Sequence, residues 1–383
     1  MISPPARGAY LNLSDILRIS FPAGDEGNAP RGTEFAVHVI PQGNEPRWVV
    51  IGDPRNAAPV FRSWRPFKIS TRVRWSAVVA ASAHGLLARL PGVISTRSVV
   101  DLSYWRRLPG FDDDWVPVVH IGNPSYTRKI TVFFVDRQEQ KCKAVAKVPL
   151  SGASAQAILN EADVLDRLRG AEYLPACLFR DRQRGIAAQA WLEGAPLSRA
   201  FRPSHMELLA RFAVPEGMVR VSDQRKAIAG ELEESGLPFD RDVISRAQGF
   251  LDYDAPLPAF IEHRDFAPWN LKRLENGQTG AIDWEWTVLR GLPCQDIYRY
   301  FYIQDALFNG PGNAWQVINS QSLVRDFYRR FELPPEALPA LAMHYLLRVM
   351  AMDWRGGNVF LAKYGYGQIE ALLAAQKSRV MRR

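Results

Sequence analysis

From Trp115 onward the chain reads as short apolar runs separated by turn residues: Trp115 to Ile121, then Gly122-Asn123-Pro124-Ser125, then Ile130 to Asp136 and Ala144 to Val148. Runs of this length bounded by Gly, Pro, Asn and Ser predict three strands of a small antiparallel meander. The period then changes. Ala155, Ile158, Ala162, Leu165 and Leu168 recur at helical spacing and predict a helix over Ser154 to Leu168. Two further apolar runs, Ala176 to Phe179 and Gly185 to Leu192, predict strands. Beyond Ser198 the pattern is mainly helical, interrupted from Ala255 to Gly291 by a strand-and-loop region with the densest polar cluster in the chain. Ahead of Trp115, Phe35 to Ile40 and Trp48 to Ile51 read as strands, and Ser76 to Leu90 reads as a helix ended by Pro91-Gly92. The acidic, Gly-containing segment Pro109 to Asp114 marks a boundary. Three parts are therefore expected: residues 1–112, of α/β or mainly β character, residues 113–197, and a helical 198–383.

The predicted helix carries one anomaly. At about 100° per residue, Glu161 projects between Leu165 and Leu168 on the apolar face. A carboxylate there needs a partner, since an unpaired buried charge is costly. Lys147, at the end of the preceding strand, is the expected one, whereas Lys141 and Lys143 precede that strand and read as solvated.

Composition narrows the class. A chain of 383 residues that is 47% hydrophobic can bury a substantial core, in two or three lobes. The longest charge-free stretch near the start, Trp75 to Ala88, falls short of the roughly 20 apolar residues of a spanning helix. Met1 to Ala9 lacks the apolar centre of a secretion leader, so a cytoplasmic protein is expected, or one peripheral to a membrane. Cys142, Cys177 and Cys294 are scattered and fit neither a disulfide framework nor a zinc site. The net charge of +8 is concentrated. Between Arg47 and Arg107 stand eleven Lys or Arg against Asp53 and Asp101. Such a block suits an anionic glycan, a glycolipid or a membrane surface, or else is a solvated face. No zinc-finger spacing or RNP-like segment accompanies it, which makes nucleic acid the least favoured partner.

The polar cluster is His263-Arg264-Asp265-Phe266-Ala267-Pro268-Trp269-Asn270, followed by Ala281-Ile282-Asp283-Trp284-Glu285. Phosphoryl transfer needs a carboxylate to orient the attacking hydroxyl and oxygen ligands for the Mg²⁺ ions that neutralise the triphosphate. Asp265 suits the first task, Asn270 and Asp283 the second, with His263 bracing the loop.

These segments resemble the HxDxxxxN catalytic loop and metal-binding Asp of aminoglycoside phosphotransferases, choline kinases and related small-molecule kinases. Gly291-Leu292-Pro293-Cys294-Gln295-Asp296 matches a further G-x-P-x-x-D segment of that family, where the Asp ties the catalytic region to the helices that follow. The resemblance covers about residues 115–370. It implies an α+β, protein kinase-like bilobal fold with a five-stranded antiparallel N-lobe and a mainly helical C-lobe. It also implies a role for Lys147 and Glu161: the lysine that meets the α- and β-phosphates of ATP and the helical glutamate that holds it. Gln189-Ala190-Trp191-Leu192-Glu193-Gly194 looks like the hinge, with backbone near Gln189 and Trp191 toward the adenine. Ser125, with Arg128 or Lys129, stands in the turn that would cover the phosphates, although the turn is not a GxGxxG loop. ATP and Mg²⁺ are the implied cofactors, and the implied acceptor is a hydroxyl of a sugar, aminoglycoside, amino alcohol or glycoconjugate.

Two departures bear on this. Position 264 is Arg where small-molecule kinases usually have Gly, giving the HRD of protein kinases. Yet Ala267 replaces their lysine, Asp283-Trp284-Glu285 replaces DFG, and no APE segment follows. Small-molecule phosphotransfer is expected over protein phosphorylation. A catalytically inactive nucleotide-binding pseudokinase or scaffold is the rival, and an adaptor built on the basic block a second. Tyr298, Tyr300, Tyr302 and Trp354 could stack on a sugar, helix-core packing being the commoner role.

Overall fold

The computed structural model describes residues 11–22, 32–42, 45–64, 66, 69–308, 310, 312 and 314–380. The segment read against a leader, Arg65 and Lys68 of the basic block, and the last three residues of the chain lie outside the described residues. The chain divides into two compact units between Pro196 and Leu197.

In the N-terminal unit, α1 (Leu13–Ser20) precedes the hairpin β1 (Thr33–Gln42) and β2 (Glu45–Ile51). Helices α2 (Ala58–Ser63) and α3 (Ile69–Ala83) and strand β3 (Ile94–Val100) follow. Then come β4 (Trp115–Ile121), β5 (Lys129–Asp136), β6 (Lys141–Pro149), α4 (Gly152–Arg167), β7 (Cys177–Asp181), β8 (Ile186–Ala190) and a two-residue β9 (Ala195–Pro196). The order strand, strand, strand, helix, strand, strand from β4 to β8 is the one the apolar pattern predicts. These five strands do not form a sheet of their own. They continue an eight-stranded antiparallel sheet in the order β3-β1-β2-β4-β5-β6-β8-β7, joined where Trp48, Val49 and Val50 of β2 face His120, Val119 and Val118 of β4. Residues on either side of 112 thus share one unit.

Alternation explains why this sheet is stable on both faces. Val49, Ile51, Val119, Val132 and Phe134 enter one core with Ile16, Tyr104 and Trp105. Trp48, Val50, Val118, Phe133 and Val135 enter the opposite one with Phe61 and Leu87. Period-2 sequences apolar at every position are what a sheet covered on both sides requires. The helix expected over Ser76 to Leu90 starts earlier and stops at Ala83. Gly85, at φ +69°, takes the left-handed turn while the Leu86 amide reaches back to the Ala81 carbonyl, a glycine C-terminal motif that ends the helix ahead of Pro91. Helix α4 is capped by Ser151, which forms a reciprocal capping box with Ser154. The basic block is partly neutralised within this unit, since Arg55, Arg97, Arg106 and Arg107 pair with Asp53, Glu34, Asp113 and Asp181.

The C-terminal unit is mainly helical. It contains α5 (Pro203–Ala210), β10 (Ala213–Val219), α6 (Arg225–Ser235), α7 (Arg241–Gln248), β11 (Leu257–Glu262), β12 (Leu271–Arg273), β13 (Thr279–Ala281) and β14 (Val288–Gly291). Five helices follow: α8 (Gln295–Leu307), α9 (Ala314–Ser320), α10 (Ser322–Arg330), α11 (Ala337–Arg355) and α12 (Val359–Val380). Strands β10, β11 and β14 make one small sheet, while β12 and β13 pair as a hairpin. Tyr298, Tyr300 and Tyr302 of α8 are at most 2% exposed and pack in the helical core. Among the described residues no helix is long and apolar enough to cross a membrane.

Candidate active site

In the N-terminal unit the Lys147 ammonium lies 2.6 Å from the Glu161 carboxylate, with both side chains under 10% exposed. The pair spans β6 and α4, and Gln189 and Cys177 line the same small recess. A buried ion pair of this kind contributes little net stability, yet losing one partner strands the other charge. Its value is a cation held at a fixed place. The segment proposed to meet adenine is already partly engaged: the Ala190 amide donates to the Ala176 carbonyl and the Trp191 amide to the Lys143 carbonyl. Those two donors are spent on the sheet, so an adenine edge would meet carbonyls or residues past Trp191.

The turn between β4 and β5 is pinned from two sides. Arg128 is 7% exposed, donates from Nε to the Gly122 carbonyl at 3.0 Å, and pairs through Nη2 with Glu45 at 2.9 Å. Ser151 Oγ donates to the Tyr126 carbonyl. Arg128 therefore braces the turn, in place of the phosphate contact weighed for it, while Ser125 is exposed at its tip.

In the C-terminal unit the residues of the candidate loop come together through the β12–β13 hairpin. Leu271 pairs with Ala281, and the Ile282 amide donates to the Asn270 carbonyl, so Asp283 follows directly on the residue bonded to Asn270. His263 is fully buried and bridges the two segments. Its Nδ1 accepts from the Asp265 amide at 3.2 Å and its Nε2 lies 3.0 Å from the Ile282 carbonyl, an arrangement that requires the proton on Nε2. The ring also packs on Trp284 with centroids 4.6 Å apart. Asn270 donates from Nδ2 to Asp265 Oδ2 at 2.8 Å and to the Asp265 carbonyl at 2.9 Å. With its nitrogen committed, the amide oxygen of Asn270 is the group left for a cation. An amide oxygen and a carboxylate such as that of Asp283 are hard oxygen donors of the kind Mg²⁺ takes.

Behind the loop lies a buried network that the sequence reading missed except for Asp296. Asp296 accepts the amides of His263 and Arg264, each at 2.8 Å, which ties the loop to the first turn of α8. Burial pushes this carboxyl up to about 7, against the pull of those amides. Glu262, 2% exposed, accepts from Arg264 and Arg348 on Oε2 and from the Leu292 amide on Oε1, all at 2.8 Å. Burial works against its charge, but Arg348 and Arg264 prevail and take it down to about 2. A β-carbon on Gly291 would lie 2.2 Å from Glu262 Oε1, so that glycine makes room for the carboxylate. One helical turn after Asp296, Arg299 donates from Nε and Nη2 to Asp265 Oδ1 at 3.1 and 2.7 Å. That contact spans 34 residues, and no local signal in the sequence marks it.

Three non-glycine residues here are left-handed: Arg264 at φ +66°, Asp283 at +70° and Cys294 at +68°. Each costs about 1–2 kcal/mol. Strain of this kind gathers where a site over-determines the backbone. Position 264 favours glycine for its backbone; the arginine gains Glu262 in exchange.

No family model matches the chain, and no curated protein matches it in sequence. Solved structures do resemble it. A thermostable mutant of aminoglycoside phosphotransferase APH(4)-Ia, in ternary complex with AMP-PNP and hygromycin B, is 16% identical at a TM-score of 0.48, covering 71% of this chain and 97% of its own. The GDP and kanamycin complex of an APH(2") enzyme is 12% identical at 0.45, covering 67% and 93%. Choline kinase LicA from Streptococcus pneumoniae is 14% identical at 0.45, covering 64% and 89%.

Proposed function

We propose that the chain is an ATP- and Mg²⁺-dependent phosphotransferase that moves the γ-phosphoryl group to a hydroxyl of a small molecule: a sugar, aminoglycoside, amino alcohol or glycoconjugate. The observation that carries this is the joining of Asp265, Asn270 and Asp283 through His263 and the Ile282 backbone. Asp265 accepts the hydrogen bond of the acceptor hydroxyl and orients its oxygen for attack. The new bond forms from that oxygen to the γ-phosphorus, the bond to the β,γ-bridging oxygen breaks, and ADP leaves with the electron pair. The hydroxyl proton passes toward Asp265. Asn270 and Asp283 would hold Mg²⁺, which supplies charge neutralisation on the phosphates. Lys147, kept in place by Glu161, serves the α- and β-phosphates.

A nucleotide-binding protein without turnover is the second reading, favoured by the engagement of Asp265 Oδ1 with Arg299. Turnover decides between them. Purified protein with Mg-ATP is assayed against kanamycin, hygromycin B, choline and hexoses, with Asp265→Asn alongside. Transfer to one acceptor class that falls about 10²- to 10⁴-fold in the variant supports the proposal. Mg-ATP binding without transfer to any acceptor favours the second reading, and absence of nucleotide binding refutes both.

A further inference from the structure

A carboxylate that orients a hydroxyl must present one defined lone pair, and the surroundings of Asp265 decide which. Oδ1 takes two hydrogen bonds from Arg299 and is thereby saturated; Oδ2 takes one, from Asn270. The only acceptor direction the described contacts leave is the second lone pair of Oδ2. Arg299 is suited to impose this. Its side chain is 12% exposed and rises from α8 one turn beyond Asp296, which grips the same loop by its backbone. Tyr345 and Asp353 of α11 lie close enough to act on its charge, and Asp265 dominates the attraction that keeps it protonated against burial. Nη1 of Arg299, the hydroxyl of Tyr345 and Oδ2 of Asp353 are all buried without a hydrogen-bond partner among the described residues. Asp265 is thus the leading partner of the guanidinium among the described residues, with Tyr345 and Asp353 beside it in second place.

We propose that Arg299 is a positioning residue for phosphoryl transfer: by donating twice to Oδ1 of Asp265 it fixes the carboxylate rotamer and leaves Oδ2 for the acceptor hydroxyl. This rests on the phosphotransferase reading and adds a residue to it. A misplacement of about 1 Å at a reacting group can cost about 10²-fold in rate, which sets the scale of the test.

The experiment is steady-state kinetics on the full chain with Mg-ATP and whichever of kanamycin, hygromycin B, choline or hexose is turned over. The variants are Arg299→Met and Arg299→Lys, each made also in an Asp265→Asn background. Arg299→Met is expected to lower kcat about 10- to 100-fold with KM for ATP within about twofold. Arg299→Lys keeps the charge and can still donate to Oδ1, though not through a two-pronged fork, and should recover part of that loss; it remains informative if the methionine variant does not fold. In the Asp265→Asn background either change should alter the residual rate by less than about twofold, because the carboxylate that Arg299 positions for the hydroxyl is gone. Unchanged kcat in both variants, or an equal loss in both backgrounds, overturns the proposal and leaves the phosphotransferase reading standing. Absence of transfer by the unaltered chain to every acceptor overturns that reading, and this one with it.

Discussion

Replacing Glu262 by Gln should destabilise the C-terminal unit by about 3–5 kcal/mol at neutral pH, the cost of stranding a buried charge. The structure identifies which charge that is. Arg264 keeps 30% of its side chain exposed and can turn to water, whereas Arg348 is 10% exposed and cannot. A second route gives a similar magnitude. Arg348 and Arg264 lower the Glu262 carboxyl from its ordinary 4.5 to about 2 in spite of burial. A shift of that size is equivalent to about 3 kcal/mol. For a carboxyl depressed on folding, this stability is fully present above the unfolded value and disappears as pH falls from about 4.5 through about 2. The gap between the parent chain and Glu262→Gln should therefore narrow across that interval. Urea denaturation read by hydrogen exchange of α8 and α11 isolates this unit from the other. A difference below about 1 kcal/mol at neutral pH, or a gap that does not change with acidification, would show that the ion network does not hold this region in the way described.

Lys147→Met should cost the N-terminal unit about 3 kcal/mol by stranding Glu161, and adding Glu161→Met should restore most of that stability but not Mg-ATP binding; thermal unfolding and calorimetric titration separate the two effects. Arg264→Gly relieves the left-handed strain and should be more stable than Arg264→Ala by about 1 kcal/mol, although both lose the contact to Glu262; an inverted order of melting temperatures would contradict the strain argument. Burial pushes Asp353 up to about 7 from 3.8. A carboxyl raised on folding contributes stability below its unfolded value that is lost as pH rises through its folded one, so Asp353→Asn should flatten the fall of melting temperature between about pH 4 and pH 7.

The sequence is most informative where the physics is local. Strands β4 to β8 announce themselves because alternation and turn chemistry act over a few residues, and the Lys147–Glu161 contact follows from one acid on an apolar helix face. The network behind the candidate loop has no such sign. Glu262 meets Arg348 across 86 residues and Asp265 meets Arg299 across 34, and nothing in either neighbourhood names the distant partner. The joining of β2 to β4 is equally non-local, so the acidic stretch at Pro109 to Asp114 reads as a boundary although the sheet passes it by. The end of α3 differs for another reason: Pro91 reads as the breaker, while Gly85 has already turned the chain.

The β2–β4 seam has a consequence for any attempt to shorten the protein. A fragment beginning near Trp115 would keep every residue of the candidate chemistry, yet it would lay open β4, all seven of whose residues are buried in the intact chain. An apolar edge strand whose backbone groups at Val118 to His120 have lost their β2 partners is a template for pairing with another copy. The same cut removes Glu45 and with it the ion pair of Arg128, leaving the turn only the contact to the Gly122 carbonyl from that side chain. The first hundred residues thus act as a guard on a sticky edge, and a fragment cut down to the candidate chemistry should aggregate before it can be assayed.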